Sequence, residues 1–546
     1  MIKPDQKDKL IKAFFGGNAL MAIVILGLIT FFLFKEGIEF FGENRDELNI
    51  YRKSGMEYAS VVSDQHDQQT LLFRYFEQIL AKETEFYEQE ESGEEEKISR
   101  EELSKLLIFS QKFQDIKDYL LVYEKSLVQL AAETKLFLKT QEIVAEIKAY
   151  AIDKKLPRED FFITLDEIKK RKFFSYKELD RWQNYFLRNE EEEIARKIDP
   201  RPGSGFAEEK MQIFNYVAKI QGTYQSEYLL IVGRQISEYS QLLERFAYNF
   251  ALESSKISFE KAKVSFREYV EKVGDYEKRL EQWDPEKKYP WSRALTTFLF
   301  GKDWVTNSAR QDWFGVIPLF TGSLLVTVIA LVLAIPLGVG SAVYVNQVAS
   351  SREQALIKPC IEFISAIPSV VIGFFGIAVL GGWIAVFSDE RLNSLTAGCL
   401  LALMAVPTIF TLAEDSLNNV PRAFKEASLS LGATRWQTVI GIIFPCALSG
   451  IVSAILLGLG RVIGETMVVL LCAGNRIAIP DFSSGLGVFI QPVHTMTGII
   501  AQEMGEVEFE SIHYRALFMV GVVLFLVSML INYCSQVIAR KYKSGY

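Results

Sequence analysis

Residues 454–475 read AILLGLGRVIGETMVVLLCAGN. The stretch is apolar enough to be a membrane helix, yet Arg461 and Glu465 stand in its middle. A charge near the bilayer centre costs about 2.5–3.5 kcal/mol on insertion scales, so such residues face a water-filled path or a partner inside a helix bundle. Four residues apart on an unbroken helix, the two would share one face. Thr466 follows directly and would line the same path. The bland alternative is an ion pair that only ties helices together, a role for which buried pairs are poor substitutes for apolar contacts.

Outward from this stretch the chain reads as a membrane protein. The run AFFGGNALMAIVILGLITFFLF (13–34) is long enough to cross a bilayer core of about 30 Å, which takes roughly 20 residues. Lys3, Lys7, Lys9 and Lys12 precede it and no small-residue cleavage site follows, so a retained span with a cytoplasmic N-terminus is expected. Further spans are expected at 316–345, 359–387, 395–413, 446–473 and 516–538. Arg352 and Lys358, then Arg422, Lys425 and Arg435, then Arg540, Lys541 and Lys543 fall on the cytoplasmic side of this arrangement, as the positive-inside rule asks, whereas Asp389 and Glu390 fall outside. Pro336, Pro368 and Pro407 are expected to interrupt the second, third and fourth spans. Gly458, Gly460 and Gly464 are expected to let helices approach closely.

Most of the 68 acidic residues, and with them the net charge of −8, belong to residues 42–310. That balance argues against a nucleic-acid partner. All five cysteines lie in or beside the apolar C-terminal half, so the polar insertion has no disulfide framework. His66, His494 and His513 have no metal-ligand spacing, and no cofactor is expected. Within the insertion, Leu106, Phe109, Phe113, Ile116, Leu120, Tyr123, Leu127 and Leu130 alternate spacings of three and four, a heptad seam continuing to Phe137. Similar stripes recur at 68–87 and 211–280, with breakers at 87–97, 154–160 and 199–205. The run RNEEEEIARK (188–197) reads as a solvated helix face, and RKFFSYKELDRWQNYF (171–186) as core aromatics before docking surface. The expected fold is all-α: a six-span membrane protein with a large external helical or coiled-coil insertion. Its domains are 1–41 with the N-terminus and first span, 42–310 external, and 311–546 with the other spans. A spacer or docking role for another external protein is the expectation for the insertion.

Between the fourth and fifth spans stands VPRAFKEASLSLGATRWQTVIGIIFPCALSG (420–450). Pro421 suits a helix start, Gly432 a turn between two short helices, and Pro445 the start of the next span. Glu426-Ala427-Ser428, Gly432, Ile442 and Pro445 together resemble the EAA loop of ABC-importer permeases, here 421–445. The segments IEFISAIPSVVIGFFG (361–376), LLGLGRVIGETMVV (456–469) and FLFGKDWVTNSARQDWFGVIPLFTGSLLVT (298–327) are similar to PstC-type phosphate importer permeases, with GLGR before GET favouring that subunit over its PstA-type partner. The likeness covers about 10–41 and 295–543, and leaves 42–294 without a counterpart.

The resemblance implies a type I ABC-importer permease fold in the cytoplasmic (inner) membrane. It implies a PstA-type permease partner, a cytoplasmic ATP-binding subunit dimer seated on Glu426, Ala427, Gly432 and Pro445, and an external phosphate-binding protein. It also implies that Arg461, Glu465 and Thr466 belong to the translocation pathway. A guanidinium offers several planar donors to phosphate oxygens. A neighbouring carboxylate would moderate its hold, since conduction needs exit as well as entry. Glu465 would also accept a hydrogen bond from a protonated phosphate oxygen, which sulfate does not offer. The chain has no G-x-x-x-x-G-K-[ST] motif, so ATP hydrolysis falls to a partner and the chain is not itself an enzyme. Two other readings remain open: a permease for another oxyanion such as molybdate or sulfate, and a membrane sensor scaffold, which would need a larger cytoplasmic output segment than the chain offers.

Overall fold

The computed structural model describes residues 4–89, 225–245, 250, 252–306, 308, 311–386 and 390–543, with scattered residues between 104 and 135. Two compact units emerge: Arg45–Pro290 with Ala309–Gln311, and Met1–Asn44 with Trp291–Ser308 and Asp312–Tyr546. Helix α1 (Pro4–Lys53) contributes to both.

The first unit is a helical bundle. α1 gives way to α2 (Met56–Gln89) at Gly55, whose φ of +79° a side chain would strain. α3 (Gln225–Arg245) and α4 (Glu253–Glu281) complete its long described helices. On α2 one buried series is Tyr58, Val62, Gln65, Gln69, Leu72, Phe76, Ile79 and Glu83, with Met56, Ala59, Val61, Ser63, His66 and Phe73 buried beside it. On α4 the matching series is Phe259, Ala262, Phe266, Tyr269, Val273, Tyr276 and Leu280. Both series alternate threes and fours, the spacing of a coiled-coil seam. The two helices run antiparallel, because Glu83 accepts from the Leu252 backbone N–H at 3.1 Å at one end while Tyr58 packs on Trp283 at the other. Polar side chains interrupt the seam: Gln65 and Gln69 donate to the Tyr269 hydroxyl at 2.6 and 2.9 Å, and Gln69 also donates to Gln235 at 3.0 Å. Burial raises the Tyr269 pKa, so the phenol stays protonated there. Of the named seam residues 106–137 only Leu127 has a described side chain, and it is buried. The stretches 154–160, 171–186, 188–197 and 199–205 lie outside the described residues, as does the breaker at 87–97 beyond Gln89.

The second unit holds the apolar helices. α5 (Trp291–Phe300) leads to a two-stranded antiparallel ribbon, β1 (Trp304–Val305) and β2 (Trp313–Phe314). Then follow α6 (Ile317–Gln347), α7 (Ser351–Ala366), α8 (Ser369–Ile384), α9 (Ser394–Asn418), α10 (Arg422–Ser430), α11 (Arg435–Ile463), α12 (Met467–Cys472), α13 (Met496–Glu503) and α14 (Ile512–Lys543). Among the described residues five helices (α1, α6, α9, α11 and α14) are long and apolar enough to cross a membrane, and α7 with α8 makes a sixth span if the bent pair is counted as one. The chain is a multi-pass membrane protein.

α6 and α9 form the centre. In their apolar windows 56% and 61% of residues are buried, against 11% in α1 and 22% in α14, so the latter two are peripheral. Small residues set the central crossings. A Cβ on Gly398 of α9 would lie 2.5 Å from Ile329 of α6, and one on Gly338 of α6 would lie 2.9 Å from Ile409 of α9. Gly458 of α11 meets Ile409 in the same way, at 2.7 Å. Gly460 has nothing within 4 Å, and Gly464 faces only carbonyls of its own helix, so only the first of the three expected close-approach glycines has that role. The peripheral pair is joined by Arg515 of α14, which meets Glu39 at 2.9 Å and also pairs with Glu43 and Glu36 of α1.

The prolines correct the expectation of three interruptions. Pro336 and Pro407 sit inside unbroken α6 and α9, whereas Pro368 separates α7 from α8 at a bend of 94°. The residue before it, Ile367, is extended (ψ 126°), the conformation that a following proline favours. α6 and α9 run on through their prolines, Pro407 buried and Pro336 exposed, with buried residues along most of their length. On α7, by contrast, Ile361 is the one buried residue, so little opposes the bend.

Replacing Tyr269 by Phe removes the shared partner of two buried amides, a loss worth about 1–3 kcal/mol. Amide hydrogen exchange on the full chain is expected to quicken over α2 and α4 and to stay unchanged over α6 and α9.

Candidate functional site

α11 buries Ala447, Ile451, Ala454, Gly458 and Val462, a stripe with helical spacing against the core. Leu457 and Arg461 stand off that stripe and are exposed. The expected continuous span 446–473 is not formed. α11 ends at Ile463, where the Gly464 N–H bonds Gly460 O at 3.3 Å and the Glu465 N–H bonds Val462 O at 3.2 Å. Thr466 then opens the short α12, its carbonyl accepting from Leu470 N–H at 3.0 Å. Arg461 and Glu465 therefore do not share a helix face, and among the described residues they form no ion pair. The Glu465 carboxylate turns instead to the Met467 backbone N–H at 3.3 Å. The physical reason is local: a glycine after the last periodic residue ends a helix, and Glu-Thr ahead of an apolar run starts another.

Arg461 has a partner that the sequence reading missed. Its Nη1 donates to Thr408 Oγ1 of α9 at 2.9 Å. Thr408 follows Pro407, and a hydroxyl beside a proline in an apolar span is the signal that pointed there.

Three stretches converge on the break. Thr497 donates to the Glu465 carbonyl at 2.8 Å, and Ser323 of α6 accepts from Met496 N–H at 2.9 Å. Thr495 caps α13 by accepting from Gly498 N–H at 3.1 Å. Gly322 allows this approach, since a Cβ there would sit 2.1 Å from His494 O. Ser323, Thr327, Glu465, Thr495 and Thr497, with apolar neighbours, line a small cavity of about 10 Å³, room for no more than one water. Glu465 thus borders this narrow polar cavity, Thr466 follows it at the start of α12, and Arg461 stands on the exposed face of α11.

The loop between α9 and α11 is built by local signals. α10 closes with Leu431 N–H on Ala427 O at 3.1 Å and Ala433 N–H on Ser428 O at 3.2 Å around Gly432, whose φ is +85°. Thr434 then caps α11 in a reciprocal box with Gln437, at 3.3 and 2.8 Å. The buried hydroxyls of Ser428 and Thr438 meet at 2.9 Å and brace the two arms. Glu426 and Ala427 are exposed, beside Leu431 at 90% and Trp436 at 59% exposure. Pro445 does not start a span. α11 already runs from Arg435 and passes through a π-helical turn at Val439–Ile443, in which Phe444 N–H bonds Val439 O, just before the proline that has no N–H to give. The loop is tied back to α6 by Lys425, which donates to Gln347 at 3.0 Å.

Comparison with known proteins places this arrangement. The family model described as "Binding-protein-dependent transport system inner membrane component" matches residues 334–544. A "Probable ABC transporter permease protein YqgH" of Bacillus subtilis (strain 168) is 35% identical over 245 residues, which are 44% of this chain and 77% of that protein. A "Phosphate transport system permease protein PstC" of Pasteurella multocida (strain Pm70) is 28% identical over 280 residues, 47% of this chain and 82% of its own length. A solved chain of the MetNI methionine ABC transporter, in inward-facing form, aligns with 42% of this chain and 94% of itself at 21% identity and a TM-score of 0.32.

Gly432→Val forces a β-branched side chain into the left-handed region, at a cost of about 1–2 kcal/mol. Amide exchange over Ala433–Thr438 is expected to speed up roughly tenfold, and less in Gly432→Asn, since asparagine tolerates that conformation.

Proposed function

We propose that this chain, which belongs to the PstC-type permeases of binding-protein-dependent ABC importers, carries inorganic phosphate across the cytoplasmic membrane. The observation that carries the reading is Arg461: a guanidinium on the open face of a membrane helix, with Thr408 engaging one of its donors at 2.9 Å. The remaining donors suit the oxygens of an anion. A PstA-type partner permease covers that open face, so that Arg461 looks into a path between two subunits and away from lipid. Glu465 and Thr466 belong to the same path at the constriction behind it. The hydrogen bonds of Thr497 and Ser323 around Glu465 narrow the path there.

The exposed Glu426 and Ala427, the Gly432 turn and the neighbouring Leu431 and Trp436 form the surface on which a cytoplasmic ATPase dimer sits. Pro445, beside the π turn, gives the base of α11 a place to flex as that surface moves. Residues 42–310 stand on the outer side, where an external phosphate-binding protein delivers its load, and act as a spacer or docking element. The positive residues at 352, 358, 422, 425 and 435 support this orientation.

Labelled-phosphate uptake into cells that lack their own high-affinity importer and express the matching complex tests the reading. Arg461→Gln is expected to reduce uptake at least a hundredfold with the complex still assembled, and excess sulfate or molybdate is expected not to compete with the wild type. Uptake that survives the substitution would remove Arg461 from the path, and competition by sulfate or molybdate would make the cargo a different oxyanion. Glu465→Gln is expected to lower phosphate-over-sulfate selectivity while leaving assembly intact.

A further inference from the structure

A second pair of charges lies within the apolar helices, away from Arg461 and Glu465. Glu414 of α9 is 8% exposed, and its Oε1 lies 2.5 Å from Nζ of Lys358 on α7. No other side-chain hydrogen bond or ion pair joins α7 to α9 among the described residues. Glu414 is buried but the Lys358 side chain is 38% exposed, and an ion pair open to water on one side adds little to stability, while a carboxylate within a span is costly in its own right. Static packing therefore gives no reason for it.

Its place in the chain does. Glu414 stands one turn before the end of α9 at Asn418, and α10 begins at Arg422, so any displacement of the 421–445 loop pulls on this end of α9 first. Lys358 lies on the cytoplasmic arm of the bent pair. Beyond the 94° bend, α8 is packed without a gap on α12: a Cβ on Gly373 would lie 2.5 Å from Leu471, one on Gly376 would lie 2.6 Å from Cys472 Sγ, and that thiol meets Gly373 O at 3.3 Å. α12 begins at the break that carries Glu465 and Thr466. An unbroken series of contacts thus runs from the loop through Glu414 and Lys358 to the bend, and from α8 to the constriction.

We propose that the Lys358–Glu414 ion pair is a positioning link that transmits movement of the 421–445 loop to the bent helix pair and so to the constriction at Glu465. The proposal rests on the reading of the chain as an importer permease. Lysine suits the task because its four-carbon stem lets the pair persist while two helices shift against each other. Asn346 with Asn418, and Lys425 with Gln347, fix α6 to the same region and give the link a stationary reference.

The test uses the full complex in liposomes, with labelled inorganic phosphate uptake and ATP hydrolysis measured on the same vesicles. Lys358→Met/Glu414→Gln removes both charges and so does not leave the buried Glu414 carboxylate unpaired. It is expected to assemble and to hydrolyse ATP at close to the wild-type rate while phosphate moved per ATP falls at least tenfold. Glu414→Asp keeps the charge but shortens its reach, and is expected to lower phosphate per ATP severalfold at unchanged complex yield and melting temperature. Wild-type phosphate per ATP in either variant overturns the link, because a merely structural pair would alter yield and melting and leave that ratio alone. Should wild-type vesicles hydrolyse ATP in response to the binding protein yet accumulate no phosphate, the cargo assignment fails by itself. The link is then read from the ratio of binding-protein-stimulated to basal hydrolysis, which both variants are expected to flatten and which an unchanged ratio would overturn.

Discussion

Lipid tails are as apolar as leucine, so no hydrophobic driving force pushes one membrane helix against another, and close packing has to do that work. In this protein the requirement falls on one seam. Gly398 admits Ile329, Gly338 admits Ile409, and Gly458 admits Ile409 from the other side, so three helices share two isoleucines through three missing side chains. A methyl group at any of the three would push backbones apart at the centre of the unit. Everything with a functional reading hangs from this seam: Thr408 is the neighbour of Ile409, Arg461 is three residues beyond Gly458, and the loop at 421–445 joins two of the three helices.

Span positions were legible from length and hydropathy because both are one-dimensional properties. Direction was not. An apolar run of nearly thirty residues at 359–387 looks the same whether it crosses the bilayer once or folds by 94° at Pro368, and three prolines in three spans look equivalent until the packing around each is known. The break at Gly464 carried a local signal, glycine followed by a capping pair, but the apolar residues on both sides outweighed it in a hydropathy reading. The 421–445 loop was read more successfully because its shape is set by short-range chemistry: a proline, a glycine and a Thr-x-x-Gln box each dictate backbone at their own position. Its one error, Pro445 as a span start, arose from treating proline as a boundary, whereas a π turn absorbed it. The heptad stripes of α2 and α4 were visible as periodicity, and the glutamines within them were not, since a buried glutamine has meaning only once Tyr269 is found opposite.

The candidate site shows the same division. Charge type and depth singled out Arg461 and Glu465 as residues that lipid would not tolerate, and sequence alone could carry that far. Their relation to each other depended on whether a helix continued for two more residues, and it did not. Thr408 and Glu414 went unnoticed because one is uncharged and the other stands near a helix end, where a carboxylate looks interfacial. Both acquire their significance only through a partner far away in sequence, Arg461 for one and Lys358 for the other.

These polar groups are distributed in a way that bears on how such a helix assembly can move. The central seam is apolar and close-packed, a contact that admits few intermediate positions. Two of the charged contacts lie away from it, since Arg515 with its three glutamates joins the peripheral helices and Lys358–Glu414 joins the bent pair to α9, while Arg461 rests beside it on a single hydroxyl. Ion pairs and hydroxyl contacts made by long side chains can follow a shift of an ångström or more that an isoleucine seated against a glycine cannot. The breaks at Pro368 and Gly464 lie on the same side of this division, in α7–α8 and α11–α12, and these halves are packed on each other through Gly373 and Gly376. A close-packed centre is thus bordered by two broken spans that touch at their broken halves. On the proposed link, motion of the loop would end at the narrow polar space around Glu465, while the Gly398–Ile329 and Gly338–Ile409 contacts would stay where they are.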